Sequence, residues 1–215
     1  MKLYHFLMNL LFPPRCVLCR GLLEKDETDL CRECRIEAPA YPGGKRNAQF
    51  LDSFAAVWYY EGSIRESLLR FKFRGARSYG PAYGRLLAMK IQQEAPEGFD
   101  VLTWIPVSPI RKLRRGYDQV ELIARAVGKE LGMTPIRTLK KIRHNRPQSR
   151  IADAAARRAN VLGAYREINR EAVAGKRVLL LDDILTTGAT ASEAARVLKT
   201  AGAKEVHGAA VAARK

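Results

Sequence analysis

Hydrophobic residues follow two spacings in the larger part of this chain, and the two spacings alternate. Runs of apolar, β-branched and aromatic residues predict strands at 54–60, 101–105, 178–181 and 205–211. Apolar residues at helical spacing predict helices at 63–72, 81–93, 117–131, 154–161 and 190–201, with Ser63 as the cap of the first. This alternation predicts an α/β fold, a parallel sheet flanked by helices. The uninterrupted apolar run at 178–181 is typical of a central strand covered on both faces.

The first 44 residues have a different pattern. Residues 1–12 predict a short amphipathic helix, which Pro13 and Pro14 end. This helix is too short to span a bilayer and no signal-peptide cleavage site follows it, so we expect a cytoplasmic protein without a membrane span. A linker rich in Pro and Gly at 38–44 predicts a domain boundary. We therefore expect a small N-terminal module at 1–44 and a larger domain at 45–215.

The chain is strongly basic. It has 215 residues and a formal net charge of +16, from 38 Lys+Arg against 22 Asp+Glu. The excess is concentrated at 70–77, 111–115 and 137–150. A field of this sign favours a polyanion, which means nucleic acid, a phosphorylated metabolite or an acidic membrane surface. Solvated basic faces explain the same composition, so charge alone leaves both interpretations open.

All four cysteines lie in one short segment with regular spacing. They form C-x₂-C-x₁₁-C-x₂-C and are Cys16, Cys19, Cys31 and Cys34. Each pair can hold one side of a tetrahedral ion, and four thiolates leave no open position, which indicates a structural zinc. A redox pair and two disulfides are the alternatives. The two matched pairs favour zinc, and we expect the metal to supply folding free energy to this small module.

The segment 178–190 combines an apolar strand, two acids, a loop of Thr and Gly, and the start of a helix. Ligands of open α/β sheets bind at the carboxyl ends of strands. Successive backbone N–H groups and the positive end of the helix predict an anion site, and Gly188 lets a phosphate approach the backbone. The loop also carries three hydroxyl donors, Thr186, Thr187 and Thr190.

Two carboxylates, Asp182 and Asp183, precede this anion site. They repel a phosphate unless they face ribose hydroxyls or a divalent cation that is shared with the ligand. The chemistry therefore predicts a sugar phosphate with free hydroxyls. An ordinary strand–turn–helix with an acidic cap is the alternative, which the Thr-Thr-Gly-x-Thr sequence disfavours.

The same segment resembles the phosphoribosyl-diphosphate motif of type I phosphoribosyltransferases at all thirteen positions. The resemblance implies a phosphoribosyltransferase-like fold. It implies that Asp182 and Asp183 bind the ribose hydroxyls, with Mg²⁺ on the diphosphate side. It also implies that five residues bind the 5′-phosphate: Thr186, Thr187, Gly188, Ala189 and Thr190.

Further elements resemble the ComF family of competence-associated proteins, which includes the GntX-type members. The chain has its four cysteines, basic middle and phosphoribosyl loop in the family's order. The segments that resemble family elements are 11–16 at the opening, 71–75 (KFRG), 115–119 (RGFNQ) and 158–161 (RxxNV). Two positions differ, since Ser108 replaces a usual Pro and Asp118 a usual Asn. An acid at 118 is expected to weaken diphosphate binding unless it faces a cation or Arg115.

Three basic residues are candidates for the diphosphate side. Lys72 and Arg74 precede Gly75 in an expected mobile loop, and Arg115 follows the strand at 101–105. A solvated charge is the alternative for each. Arg111, Lys112 and Arg114 share the position of Arg115 but are weaker candidates.

Two functional hypotheses follow. The first is a ComF-like protein that binds phosphoribosyl diphosphate and acts in DNA uptake, with single-stranded DNA and competence proteins as partners. The second is an active phosphoribosyltransferase with an unidentified acceptor, for which no signature was found. Six aromatic residues near basic ones are candidates for base stacking, or else belong to the core: Tyr59, Tyr60, Phe71, Phe73, Tyr79 and Tyr117.

Overall fold

The structure is a computed structural model that describes residues 13–43, 48–95, 97–143 and 154–214. The predicted helix at 1–12 lies outside the described residues. The described part contains strands β1 (Ser53–Tyr59), β2 (Val101–Trp104), β3 (Leu139–Lys141), β4 (Tyr165–Glu167), β5 (Arg177–Leu185) and β6 (Glu205–Ala213). Its helices are α1 (Arg32–Glu37), α2 (Gly62–Phe73), α3 (Tyr79–Glu94), α4 (Pro109–Arg115), α5 (Gln119–Leu131), α6 (Ala154–Val161), α7 (Arg170–Val173) and α8 (Ala189–Thr200).

Four of these strands form a parallel sheet in the order β1-β6-β5-β2, and β3 and β4 form a separate antiparallel pair. β5 is an inner strand whose side chains alternate between two cores. Leu179 and Leu181 pack with residues of α2, α3 and α5, whereas Val178 and Leu180 pack with residues of α8. The predicted α/β fold with a buried central strand is thereby confirmed.

The predicted elements of the larger domain are present within two residues of their expected ends, except that β5 continues to Leu185, four residues beyond the predicted end at 181. Ser63 is not the cap of α2, since the helix begins at Gly62 and Glu61 is its N-cap. Five short elements were not predicted, namely α1, α4, α7, β3 and β4, of three to seven residues each. Hydrophobic periodicity needs a longer window than these elements provide.

Helices α3 and α5 pack closely on one face of the sheet. A Cβ at Gly84 in α3 would lie 2.2 Å from the Cβ of Ala126 in α5, so the absence of a side chain permits this approach. No helix among the described residues is both long and apolar enough to cross a bilayer.

The cysteine-containing segment packs on α2 and α3. Val17 and Leu18 are buried in the same core as Leu68 and Tyr83. The Arg85 guanidinium of α3 donates two hydrogen bonds to the Asp29 carboxylate, at 2.8 Å for Nε. The segment and the sheet domain therefore share one hydrophobic core.

Candidate functional site

A cavity of about 900 Å³ lies where β2 and β5 end side by side, and we call it the sheet-end cavity. Residues from β5, the β2–α4 connection, α2, α4, α6 and β3 line it. Its charged lining consists of eight basic and two acidic residues: Arg65, Lys72, Arg111, Arg114, Arg115, Lys141, Arg157, Arg214, Asp182 and Asp183. Such an excess of cations in a concave site favours an anionic ligand.

The predicted phosphate loop follows β5 directly. β5 continues through the two acids to Leu185, and Gly188 is the N-cap of α8 in the left-handed conformation, with φ 76°. The first N–H groups of a helix have no intrahelical acceptor, so they are donors for a ligand. Thr186 and Thr190 line the sheet-end cavity, whereas Thr187 is exposed and Ala189 is buried.

Asp183 is held by donors from two helices. Its Oδ1 lies 2.8 Å from Lys72 Nζ in α2, and its Oδ2 accepts a hydrogen bond of 2.7 Å from Gln119 Nε2 in α5. The carboxylate is only 6% exposed. These contacts fix the orientation of Asp183 beside its neighbour.

Asp182 has a different environment. Its Oδ1 accepts a hydrogen bond of 2.8 Å from the Asp183 backbone N–H. Burial, followed by the negative charge of Asp183, raises the pKa of Asp182 to about 8, although Lys72 acts in the opposite direction. A cation beside this carboxylate would stabilise its ionised form, so the pair has the donor set of a divalent-cation or ribose site.

The three basic candidates have separate positions. Lys72 lies in the last turn of α2 rather than in a loop, and its side chain reaches Asp183. Arg74 is the C-cap of α2, is exposed, and is not among the lining residues of the sheet-end cavity. Arg115 lines the cavity, donates a hydrogen bond of 2.7 Å to Gln119 Oε1, and lies over the Phe73 ring at 4.8 Å.

The two positions that differ from the family pattern are helix caps. Ser108 caps α4 by accepting a hydrogen bond from Arg111 N. Asp118 caps α5, and its carboxylate accepts hydrogen bonds from the N–H groups of Val120, Glu121 and Val107. Asp118 does not line the sheet-end cavity, and burial raises its pKa. The Asp118 carboxylate thus contacts backbone N–H groups rather than a cation or Arg115.

Three further basic residues line the sheet-end cavity. The sequence did not indicate Lys141 and Arg157 as site residues, and it indicated Arg111 only as a weaker candidate than Arg115. Burial, followed by the charge of Arg111, lowers the pKa of Lys141 to about 8, and its Nζ lies 3.1 Å from the Tyr165 hydroxyl. Burial, followed by the charge of Arg115, lowers the pKa of Arg111. Arg157 is 9% exposed, and it is the Arg of the RxxNV pattern, whose five positions are 157–161 rather than 158–161. The positive charges of Lys141, Arg111 and Arg115 disfavour one another, which an anionic ligand would relieve.

The four cysteines come together as their spacing predicts. Their sulfur atoms all lie within 4.8 Å of one another, and Cys19 Sγ and Cys31 Sγ are 3.7 Å apart. In a tetrahedral site with Zn–S bonds of about 2.3 Å, sulfur atoms are separated by about 3.8 Å. The Gly21 N–H points to Cys19 Sγ at 3.3 Å, as suits a thiolate ligand. The cluster has the donor set and the size of a structural zinc site, and no disulfide joins these cysteines.

The comparisons with known proteins define the class of this protein. Residues 114–215 match the phosphoribosyl transferase domain family, and residues 7–44 match the double zinc ribbon domain. The chain is thus a phosphoribosyltransferase-like protein with an N-terminal structural zinc site.

Two competence proteins are similar to most of this chain. Competence protein F of Haemophilus influenzae is 25% identical over 89% of this chain and 93% of its own length. Competence protein ComFC of Streptococcus pneumoniae is 28% identical over 87% of this chain and 77% of its own length. The chain is similar to these competence proteins along most of its length, which confirms the resemblance to the ComF family read from the sequence.

Among solved structures, the glutamine phosphoribosylpyrophosphate amidotransferase from B. subtilis complexed with ADP and GMP is 24% identical to this chain. The match has a TM-score of 0.43 and covers 65% of this chain and 30% of that chain.

Proposed function

We propose that the protein binds phosphoribosyl diphosphate, or a similar sugar phosphate, together with Mg²⁺ in the sheet-end cavity. One observation carries the proposal: the acid pair, the helix N-terminus after Gly188 and the buried cations all face one cavity at the end of β5. Asp182 and Asp183 are assigned to the ribose hydroxyls and Mg²⁺, and residues 186–190 to the 5′-phosphate. Mg²⁺, when bound, would neutralise part of the ligand's diphosphate charge.

The diphosphate side is assigned to cations of the cavity wall. Arg115 and Arg111 extend from α4, and Lys141 lies on β3. We assign Lys72 a supporting role, because its ammonium group is already paired with Asp183. Arg74 is left out of the proposed site, since it is exposed beside the cavity.

Isothermal titration with phosphoribosyl diphosphate and Mg²⁺ tests this binding. The double variant Asp182→Asn, Asp183→Asn is expected to abolish it. Asp52→Asn is a matched control, because Asp52 binds Lys199 and the Val206 N–H at the opposite end of the sheet. Equal affinity in the wild type and the double variant would contradict the assignment.

We further propose that the protein acts in DNA uptake and natural transformation, with single-stranded DNA and competence proteins as partners. The names of its relatives as competence proteins support this role. The basic residues around the sheet-end cavity suit a phosphate backbone. Phe73 lines the cavity and is 65% exposed, as a base-stacking residue must be, whereas Phe71 and Tyr117 are core residues.

Labelled single-stranded DNA, titrated at two salt concentrations, tests this second part. Affinity is expected to fall as salt rises, with a slope of about −0.7 for each neutralised phosphate. Phe73→Ala should weaken binding by about 1–3 kcal/mol, the usual contribution of one stacked base. Met89→Ala removes another exposed apolar side chain, one that does not line the cavity, and should leave DNA affinity unchanged. A protein that does not bind DNA at low salt would exclude this part of the proposal.

The alternative is an active phosphoribosyltransferase, which replaces diphosphate at ribose C1 with a base or amine. The volume of the sheet-end cavity, about 900 Å³, favours keeping this candidate, because it is at the upper end of the range for ligand sites. An assay for diphosphate release from phosphoribosyl diphosphate, in the presence of a panel of bases, distinguishes the enzyme from the DNA-uptake protein. Base-dependent release without DNA affinity would establish the enzyme, and salt-sensitive DNA binding without release would exclude it.

A further inference from the structure

The zinc-binding loop contacts α2 through its own backbone. Val17 and Leu18 lie between the first two ligand cysteines. The Ser67 hydroxyl of α2 donates a hydrogen bond to the Val17 carbonyl, and the Arg70 guanidinium donates to the Leu18 carbonyl at 2.5 Å and the Val17 carbonyl at 3.4 Å. Both carbonyl groups belong to a segment whose two ends the metal holds, so the metal fixes the acceptors that α2 uses.

The Ser67 contacts are buried and the Arg70 contacts are partly buried, which makes their loss costly. Ser67 is fully buried, and its oxygen lies 2.6 Å from the Tyr83 hydroxyl. Because the Val17 carbonyl can only accept, Ser67 donates to it and accepts from Tyr83. Val17 and Leu18 are 4% and 2% exposed. Water cannot readily replace these hydrogen bonds when the loop moves.

The same helix ends at the sheet-end cavity. Lys72 follows Arg70 by two residues and pairs with Asp183 at 2.8 Å. Between them, the Phe71 carbonyl accepts a hydrogen bond from the Tyr117 hydroxyl. At about 1.5 Å per residue, Ser67 and Lys72 are separated by only about 7.5 Å along the helix axis. A displacement of α2 at the zinc loop is therefore transmitted to the Lys72 ammonium group.

We infer that the zinc site is a brace for the ligand site: Ser67 and Arg70 are positioning residues that hold α2 so that Lys72 orients Asp183. Metal occupancy then sets the affinity of the sheet-end cavity for its sugar phosphate. This inference rests on the proposed sugar-phosphate binding. It gives the zinc module a role beyond the folding of the N-terminal segment.

Binding measurements on zinc-loaded variants test the inference. Arg70→Ala is expected to weaken phosphoribosyl diphosphate binding about tenfold, equivalent to one charge-assisted contact, while one zinc per chain is retained. Arg85→Ala is the matched control, because it breaks the bridge from the module to α3 and leaves α2 contacts intact. Its affinity should equal that of the wild type. Equal losses in the two variants would point to general destabilisation and overturn the inference.

A double-mutant cycle identifies the route. If Arg70 acts through Lys72, Arg70→Ala should have little further effect in a Lys72→Met background. An undiminished tenfold loss in that background would show that Arg70 acts by another route, and would refute the inference.

Amide hydrogen exchange separates this inference from the proposed function, because it needs no ligand. Removal of zinc by a chelator should lower the protection of the α2 amides 65–73 more than that of α8. Unchanged α2 protection would overturn the brace even if the sugar phosphate binds. If the wild type fails to bind phosphoribosyl diphosphate while α2 responds to zinc, the proposed function fails and the structural coupling stands.

Discussion

Lys72 Nζ and Asp183 Oδ1 are 2.8 Å apart, and this ion pair joins the last turn of α2 to the end of β5. Gln119 from α5 holds the second oxygen of the same carboxylate. Asp183 is thus fixed from two sides, whereas Asp182 contacts the following backbone N–H. The orientation of the Asp183 carboxylate is fixed by its two donors. The pKa of Asp182 instead depends on burial and on the neighbouring charges.

Lys72→Met should weaken both the fold and the ligand site. The substitution keeps the apolar stem but leaves a nearly buried carboxylate with one fewer donor, which costs about 1–3 kcal/mol of unfolding free energy. Phosphoribosyl diphosphate affinity should fall about tenfold, because Asp183 loses its fixed orientation. Urea unfolding and calorimetric titration measure the two effects.

Lys199→Met is the control for that variant. Lys199 pairs with Asp52 at 2.7 Å, at the amino end of the sheet and with more solvent around it. A small loss of stability and unchanged ligand affinity are expected. If both variants bind the ligand as the wild type does, Lys72 has no part in the site.

Loss of one zinc ligand should destabilise the protein without abolishing the sheet domain. Cys34→Ser removes a thiolate from the four-sulfur cluster, and zinc affinity falls with it. The melting temperature should decrease, by about 2–4 °C for each kcal/mol of unfolding free energy that is lost in a domain of this size. Metal analysis and thermal unfolding give the readout, and Glu33→Gln, an exposed change in α1 next to Cys34, is the control. A wild-type zinc content below one ion per chain would contradict the four-cysteine site.

The parts of the site that are contiguous in sequence were predictable. Asp182 to Thr190 form one strand–loop–helix segment, so a local pattern contains the whole cradle. The four cysteines likewise fall in two short repeats whose spacing reflects tetrahedral coordination. In both cases the chemistry restricts residue type and spacing at once.

The parts that depend on tertiary packing were not predictable. Lys141 lies on a three-residue strand that is too short to show alternation, and it reaches the site because β3 pairs with β4. Gln119 contacts Asp183 across 64 residues of sequence. Lys72 was expected at the junction of the helix at 63–72 with a mobile loop, but the helix continues past it to Phe73. A local sequence pattern shows neither how far the Lys141, Gln119 and Lys72 side chains lie from the acid pair nor how deeply they are buried.

Gly188→Ala tests the phosphate loop through backbone geometry. Gly188 has φ 76°, and an added Cβ would lie 3.1 Å from the Cβ of Ala48. The left-handed conformation costs about 1–2 kcal/mol for a residue with a side chain. Gly98→Ala carries the same strain at φ 73° in open space, away from the cavity. Both variants should lose stability in urea unfolding, and Gly188→Ala alone should lose phosphoribosyl diphosphate affinity. Equal affinities would argue against a phosphate at this loop.

The raised pKa of Asp182 gives a pH dependence of defined sign. The pKa rises from 3.8 to about 8 on folding, so between these values the folded protein holds a proton that the unfolded chain has released. Stability from this group is complete below about pH 4 and is lost as pH rises towards 8. Lys141, whose pKa falls from 10.5 to about 8, acts in the opposite sense and only above pH 8.

Urea unfolding of the ligand-free protein at pH 5, 6, 7 and 8, beside Asp182→Asn, isolates this contribution. The wild type should lose stability relative to the variant as pH rises, because asparagine has no proton to release. Mg²⁺-dependent phosphoribosyl diphosphate binding should strengthen over the same range, since the cation needs the ionised carboxylate. A stability difference between the two proteins that stays constant from pH 5 to 8 would show that Asp182 is already ionised in the free protein, and the proposed link between its protonation and metal binding would then be wrong.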